Sequence, residues 1–326
     1  MKIGFIDGAN LFIKCLSISR INDQGNFVGC IEKFLDSVKN IVFYNNIDLV
    51  VVFWEGRQST LRKRRIQSSY KSGKKEVGVV PDEDAQKCHI RIREYLDLLS
   101  IPQLEVSGTE ADEVIAYLAR RTSKEHDVVI ISEDKDFYQL INDNTSIFSI
   151  QKRLMLTKEK FIETYKIQPE NWIIIKCLMG DSSDNIKPLT YVPIERLRDV
   201  YFPILKEQRI ISIDDISTYS AEILKTASKQ NMRVYKKIID SPDVLAENFK
   251  LMNLRDIMLP NNMYSKIKYA LNTFCFKQID PAMLRYEMFS DSIFFMGFNR
   301  MFQVFVSMSN KMFNEKLDKI LFQTSI

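Results

Sequence analysis

Histidine is almost absent from this chain. Among 326 residues there are two, His89 and His126, and neither has a partner at a metal-ligand spacing. Catalysis centred on imidazole is therefore not expected. Cysteine is sparse as well. Cys15, Cys30, Cys88, Cys177 and Cys275 are scattered, odd in number and without a CxxC spacing. This argues against a disulfide framework or a zinc module and fits a reducing compartment. No apolar run approaches the roughly 20 residues that cross a bilayer. The opening MKIGFIDGAN turns to acid and glycine too soon for a signal peptide. The expected location is the cytoplasm, with no membrane contact. Repeats and low-complexity segments are missing too.

What is present is a globular composition, 45% hydrophobic and 27% charged. The length suits one large domain or two. A net charge of +4 says little, but its distribution says more. Residues 57–75, RQSTLRKRRIQSSYKSGKK, hold eight Lys or Arg, and no acid follows until Glu76. A solvated helix face normally mixes signs, so a polyanion partner is favoured over that plainer reading.

Strands and helices alternate through about residue 160. Lys2–Ile6 reads as a buried strand ending in the turn Asp7–Asn10, followed by a helix over 31–44 and the β-branched strand Asp48–Trp54. A helix over 82–99 and a strand Ile101–Val106 come next. Ser107 and Thr109 offer N-caps to a helix over 110–121. Val128–Ser132 is a further strand, Phe137–Ile141 begins a helix, and Thr145–Ile150 with Arg153–Leu156 resembles a hairpin. From Phe161 onward the pattern is helical, ending in a Phe- and Met-rich tail over 286–313 that suits core packing or an interaction surface. The alternation predicts an α/β fold with a mostly parallel sheet, whose sites lie beyond the carboxyl ends of the strands.

Acids collect at those ends. Asp7, Glu55 and the pair Asp134 and Asp136 each follow an apolar strand, and Glu110, Asp112 and Glu113 open a helix. Asp181 and Asp184 stand in the loop GDSSDN. Singly, each has a plainer explanation: a turn, a first helical turn favoured by the dipole, or an Asx-turn. Jointly they describe an oxygen-only cluster, whose mutual repulsion is relieved by cations such as Mg²⁺ or Mn²⁺.

Six motifs carry a resemblance: IDGAN (6–10), VFWEG (52–56), SSYKSGKK (68–75), IPQLEVSGTEADEVIAYLA (101–119), ISEDKDFYQL (131–140) and LMGDSSDNI (178–186). In this order they resemble the structure-specific 5′-nuclease family of flap endonucleases and 5′-3′ exonucleases, and most of all its bacteriophage members such as phage ribonuclease H. The resemblance covers about residues 1–260. It implies a PIN-like sheet flanked by helices, a nuclease domain over 1–178 with a basic helical arch at 57–80, and a helical DNA-binding region over 179–326. Asp7, Glu110, Asp112 and Asp134 resemble ligands near a first metal ion, and Asp136, Asp181 and Asp184 those around a second. Glu113 stands where many members have an aspartate. Glu55 follows Phe53-Trp54, where the family usually reads Phe-Asp-Gly. Tyr70 and Lys71 match the Tyr-Lys of the arch, with Lys71 and Arg64 in catalytic roles. Arg62, Lys63, Arg65, Lys74 and Lys75 are further substrate-binding candidates.

After GDSSDNI the family usually has a glycine-rich loop. Here Pro188, Tyr191 and Pro193 replace it, which puts duplex anchoring on Lys187, Arg196 and Arg198 and predicts no potassium site. The implied activity is metal-dependent hydrolysis at 5′ ends and flaps of DNA or RNA–DNA hybrids. Two ions about 3.5–4 Å apart would serve it. The implied setting is primer or flap removal by a monomer working beside replication proteins, from a viral source. Two other readings stay open: a nucleic-acid-binding protein of this fold that has lost catalysis, and a PIN-type ribonuclease acting on single-stranded RNA.

Overall fold

The β-branched runs form the centre of a six-stranded sheet. The computed structural model describes residues 1–72, 81–206, 210–225, 229–257, 259–293 and 298–322. Through the amino-terminal half the order is β1 (Lys2–Asp7), α1 (Gly8–Cys15), α2 (Gly29–Tyr44), β2 (Leu49–Trp54), α3 (Leu61–Arg64), α4 (Asp82–Leu98), β3 (Gln103–Glu105), α5 (Ala111–Thr122) and β4 (Asp127–Ile131). It continues with β5 (Thr145–Ser149), β6 (Leu154–Leu156), α6 (Lys158–Tyr165) and α7 (Trp172–Met179). The strands lie in the order β3-β2-β1-β4-β5-β6. All neighbours are parallel except β5 and β6, which form the expected antiparallel hairpin. Every residue of β2 is buried, as an interior parallel strand requires.

Alternate side chains of the strands feed two cores. Ile3, Phe5, Val51, Phe53 and Ile130 pack on one face with α5 and α7. Ile6, Val50, Val52, Val129 and Ile131 pack on the other with α2 and α4. The carboxyl-terminal half runs α8 (Ile194–Arg196), α9 (Ile213–Ile223), α10 (Lys229–Ile239), α11 (Pro242–Met252), α12 (Asn261–Thr273), α13 (Pro281–Ser290), α14 (Phe298–Met312) and α15 (Leu317–Phe322). It covers both faces. Leu251, Ile267 and Leu321 join the first core, and Leu284, Met288, Phe305 and Met308 the second. Much of the Phe/Met-rich tail is thus packing material, although Tyr286 and Phe289 are exposed. Beyond the hairpin, the described residues hold only isolated bridges, such as Asp181 with Ile186. No helix among them is long and apolar enough to cross a membrane.

Two local expectations are corrected. The cap of α5 is Glu110, whose side chain and that of Glu113 exchange bonds with each other's backbone in a capping box. Ser107 and Thr109 instead lie in a turn, because Gly108 at φ +84° swings the chain around before the helix begins. The segment from Lys135 to Leu140 is a 3-10 turn and not the start of a helix, because the Asp134 carboxylate takes the Asp136 N–H and tightens the turn. In the basic segment the apolar Leu61 and Ile66 are exposed, while Tyr70 is 1% exposed and Lys63 is 4% exposed. Tyr70 and Lys63 are therefore the anchors, and acids hold both.

Candidate active site at the carboxyl edge of the sheet

Strand register gathers the acids. Asp7 of β1 pairs with Phe53 of β2, two residues before Glu55. Ile6 pairs with Ile131 of β4, three residues before Asp134. The carboxyl ends of β1, β2 and β4 therefore open onto one edge. Asp7 accepts from the Asn10 N–H and from Ser132 Oγ, both at 3.0 Å, which fixes its carboxylate there. Burial pushes its pKa up, with Asp112 adding to the push. Glu55 accepts from the Ala111 N–H at 3.3 Å. Crowding by surrounding protein, then Asp112, raises its pKa, although its outer side opens to water that tempers the effect. The start of α5 thus lies against the end of β2. Gly56 permits this approach, since a Cβ there would lie 1.9 Å from the Val106 carbonyl oxygen.

The basic segment closes over the acids. Lys63 Nζ lies 2.5 Å from Glu110 Oε2, 3.8 Å from Asp112 and 3.9 Å from Glu113. Lys71 Nζ lies 2.6 Å from Glu110 Oε1 and 4.0 Å from Asp184. The Tyr70 hydroxyl donates to Glu110 Oε2 at 3.1 Å. Arg62 pairs with Glu113, whose other oxygen accepts from the Glu110 N–H, so both oxygens of Glu113 are committed. Burial works to raise the Glu110 pKa, but Lys63 and Lys71 outweigh it and hold it low. Arg64 donates to the carbonyls of Tyr70 and Lys71, each at 3.0 Å. It therefore shapes the backbone that presents Lys71, which sits at φ 47°. Asn185 docks this segment onto the GDSSDN loop by donating to the carbonyls of Ser69 at 3.0 Å and Ser72 at 2.9 Å.

The remaining acids complete the cluster. Burial pushes Asp134 up to about 6 and Asp184 up to about 6, and burial together with Asp134 pushes Asp136 up to about 7. Lys176 on α7 lies 2.7 Å from both Asp136 and Asp181. It escaped the sequence reading, although a single lysine inside the otherwise apolar WIIIKCLM was a signal. Ser132 and Asn185 were missed as well, having only their polarity to mark them.

Lys74 and Lys75 lie outside the described residues. Arg65 is exposed and, among the described residues, makes no ion pair. Lys187 and Arg196 are also exposed, on the loop beyond Asp184 and at α8, without an ion pair to the cluster among the described residues. Arg198 is committed to Asp199 at 2.6 Å and to the Tyr165 carbonyl at 2.7 Å.

No three carboxylates among the described residues close on one point as a metal cage. The ammonium groups of Lys63, Lys71 and Lys176 bridge them instead. The donor set still fits hard divalent cations, being all oxygen, and burial, with neighbouring carboxylates adding to it, pushes Asp7, Asp134, Asp136 and Asp184 up.

An acidic cluster at the carboxyl edge of a mostly parallel sheet, overlain by a basic segment, fits an α/β enzyme of the phosphodiester-cleaving kind. The family model described as the 5′-3′ exonuclease N-terminal, resolvase-like domain matches residues 2–166. The 5′-3′ exonuclease of Buchnera aphidicola subsp. Schizaphis graminum is 29% identical over 276 residues, covering 82% of this chain and 89% of that protein. A thermostable DNA polymerase I of Thermus thermophilus is 36% identical over 192 residues, 57% of this chain and 22% of the polymerase. Among solved structures, the zinc-bound T5 5′-exonuclease superposes with a TM-score of 0.63 at 19% identity, covering 90% of this chain and 98% of that one. Human GEN1 in complex with Holliday junction DNA does so at 0.55 and 11% identity, covering 93% and 71%. At such identities these structural likenesses are of fold alone. The chain belongs to the 5′-3′ exonuclease family and is a 5′ nuclease.

Proposed function

We propose that this nuclease hydrolyses phosphodiester bonds at 5′ ends and 5′ flaps of DNA and RNA–DNA hybrids, using two divalent cations, Mg²⁺ or Mn²⁺, and removes primers or flaps during replication. The observation that carries this reading is the convergence of acids from β1, β2, β4, α5 and the 180–185 loop beneath Lys71 and Tyr70. It gains support from the T5 flap endonuclease, described in complex with DNA and metal ions, which superposes with a TM-score of 0.62. The protein would act as a monomer beside replication proteins.

Asp7, Glu55, Glu110, Asp112 and Asp134 would hold one cation, and Asp136, Asp181 and Asp184 the other. When bound, such cations activate the attacking water and stabilise charge developing on the phosphate. Asn10 and Ser132 aim Asp7 into the pocket. The Lys71 side chain is 31% exposed, so its ammonium can turn from Glu110 to a phosphate oxygen. Arg64 keeps that lysine in place through the backbone. Lys187 and Arg196 would hold the duplex away from the chemistry.

The test is a time course on a 5′-labelled flap duplex with Mg²⁺, then with chelator, beside unstructured RNA of equal length. Metal-dependent release of short 5′ products from the flap is expected. Cleavage of the RNA alone, or none of either substrate, would sink the proposal.

A further inference from the structure

Two lysines of the basic segment share Glu110, but they are placed differently. The Lys71 side chain is 31% exposed, whereas that of Lys63 is 5% exposed. The Lys63 ammonium is enclosed by Glu110 at 2.5 Å, the Tyr70 hydroxyl at 3.3 Å, Asp112 at 3.8 Å and Glu113 at 3.9 Å. It also stands 5.3 Å from the centroid of the Tyr70 ring, itself 1% exposed. A cation so enclosed reaches a phosphate only by taking one positive charge away from Glu110, Asp112 and Glu113 at a largely buried place. Sequence alone grouped Lys63 with its neighbours as a substrate contact, because periodicity does not tell an inward lysine from an outward one in a four-residue helix.

We propose that Lys63 is a permanent internal counter-ion of the acidic cluster and not a phosphate contact: it positions Glu110, Asp112 and Glu113 and balances part of their charge, so that these inner carboxylates need mobile divalent cations less than the outer ones, Asp7, Asp134, Asp136 and Asp184. Glu110 shows how this works. Its Oε2 stays with Lys63, while its Oε1 is freed for another cation when Lys71 turns outward. Glu113, bound to Arg62 and to the start of α5, is a structural acid and takes no metal ion. The division between outer and inner carboxylates rests on the cation-dependent function proposed above; the counter-ion role of Lys63 does not.

The experiment compares the full-length protein with Lys63→Met and Lys63→Arg. Thermal unfolding is followed without DNA, first in chelator and then across a Mg²⁺ titration. Affinity for a fluorescent flap duplex is measured in chelator at several salt concentrations. In chelator, Lys63→Met is expected to melt several degrees lower. Mg²⁺ should raise the melting temperature of Lys63→Met more than that of the parent, because an ion can now enter where the ammonium stood. The salt slope of duplex binding should stay at the parent value.

If Lys63→Met flattens that slope by about one contact while its response to Mg²⁺ matches the parent, Lys63 is a phosphate contact and the proposal is wrong. Should Lys63→Met fail to fold, Lys63→Arg decides: retained Mg²⁺ response and salt slope support the internal role, and a changed slope overturns it. A parent protein that ignores Mg²⁺ would refute the function proposed above, while the chelator arm would still judge Lys63.

Discussion

Asp136 and Asp181 share one ammonium at one distance, 2.7 Å from Lys176, yet their carboxyls shift in opposite directions. Burial works to raise both. At Asp181 it is outweighed by Lys176 and by two bonds from Ser183, and the pKa falls. At Asp136 burial is joined by Asp134, and the pKa rises to about 7. The same contrast divides the whole pocket. Glu110, with two lysines and a tyrosine, is held low, and Asp134 and Asp184 are pushed up. An ammonium alone does not settle a buried carboxylate; hydrogen bonds and the distance to the next acid decide the outcome. The unsettled carboxylates are those for which a divalent cation would do most.

The sharpest test of this division replaces one acid from each side. Asp134→Asn is expected to slow flap cleavage about 1,000-fold, the loss typical when one element of transition-state charge stabilisation is removed. In chelator it should raise the melting temperature, because a strained carboxylate has been neutralised. Asp181→Asn should instead lower the melting temperature in chelator, since that carboxylate is well satisfied. Rate measurement on a flap substrate and thermal denaturation read both effects. Parent-rate cleavage by the Asp134 variant, or shifts of the same sign in both, would break the comparison.

Lys176→Met is the next largest. The Lys176 side chain is 15% exposed, and its removal leaves Asp136 and Asp181 facing each other. Stranding a buried charge costs about 3 kcal/mol, to be read by urea unfolding in chelator. Mg²⁺ should restore part of the loss. A neutral result would mean that water already screens the pair.

pH dependence gives a smaller, graded effect. A carboxyl whose folded pKa is raised binds its proton more tightly when folded, so it favours folding below its ordinary pKa and that gain fades as pH rises to the folded pKa. For Asp134, Asp136 and Asp184 the window runs from the ordinary 3.8 to about 6 or 7. Glu110 and Asp181 act in the opposite sense, but their contribution is lost only as pH falls below the ordinary values of 4.5 and 3.8. Metal-free stability should therefore decline between about pH 4.5 and 7, and saturating Mg²⁺ should flatten the decline. Melting curves across that range, with and without Mg²⁺, check the sign; rising metal-free stability would contradict it.

What could be read in the sequence follows from periodicity. LVVVFW and DVVII announce parallel strands, and acids just beyond them announce an edge site, because strand direction fixes where chain ends emerge. The IDGAN, EAD and GDSSDN motifs added the family. What could not be read depends on where long side chains turn. Arg62, Lys63, Arg64 and Arg65 are successive basic residues, yet one pairs with Glu113, one is enclosed by acids, one holds backbone carbonyls and one is exposed. Lys176 was hidden for the same reason. Its partners lie on the 3-10 turn after β4 and on the loop after α7, which meet only in the folded chain.

The smallest expected effect concerns the loop after Asp184, which carries Pro188, Tyr191 and Pro193. No residue from Ile186 to Pro193 has positive φ, whereas Asn185 just before it does, at 60°. The N–H groups of Leu189 and Thr190 both go to the Leu178 carbonyl at 2.9 Å, and that of Val192 goes to Thr190 Oγ1 at 3.2 Å. Pro188 and Pro193 offer none. The loop backbone therefore has few donors to spare for a phosphate. Arg198 is held by Asp199 and Tyr165. Arg196 is exposed, with its guanidinium carbon 5.9 Å from the Tyr201 ring centroid, and it is the arginine here that can turn to DNA. Arg196→Ala should flatten the salt dependence of duplex binding by about one phosphate contact, while Arg198→Ala should leave it unchanged. Potassium and sodium at equal ionic strength should support equal affinity. A clear preference for potassium would show that backbone carbonyls of this loop bind the ion after all. An unchanged slope in the Arg196 variant would place the duplex elsewhere on the helical half.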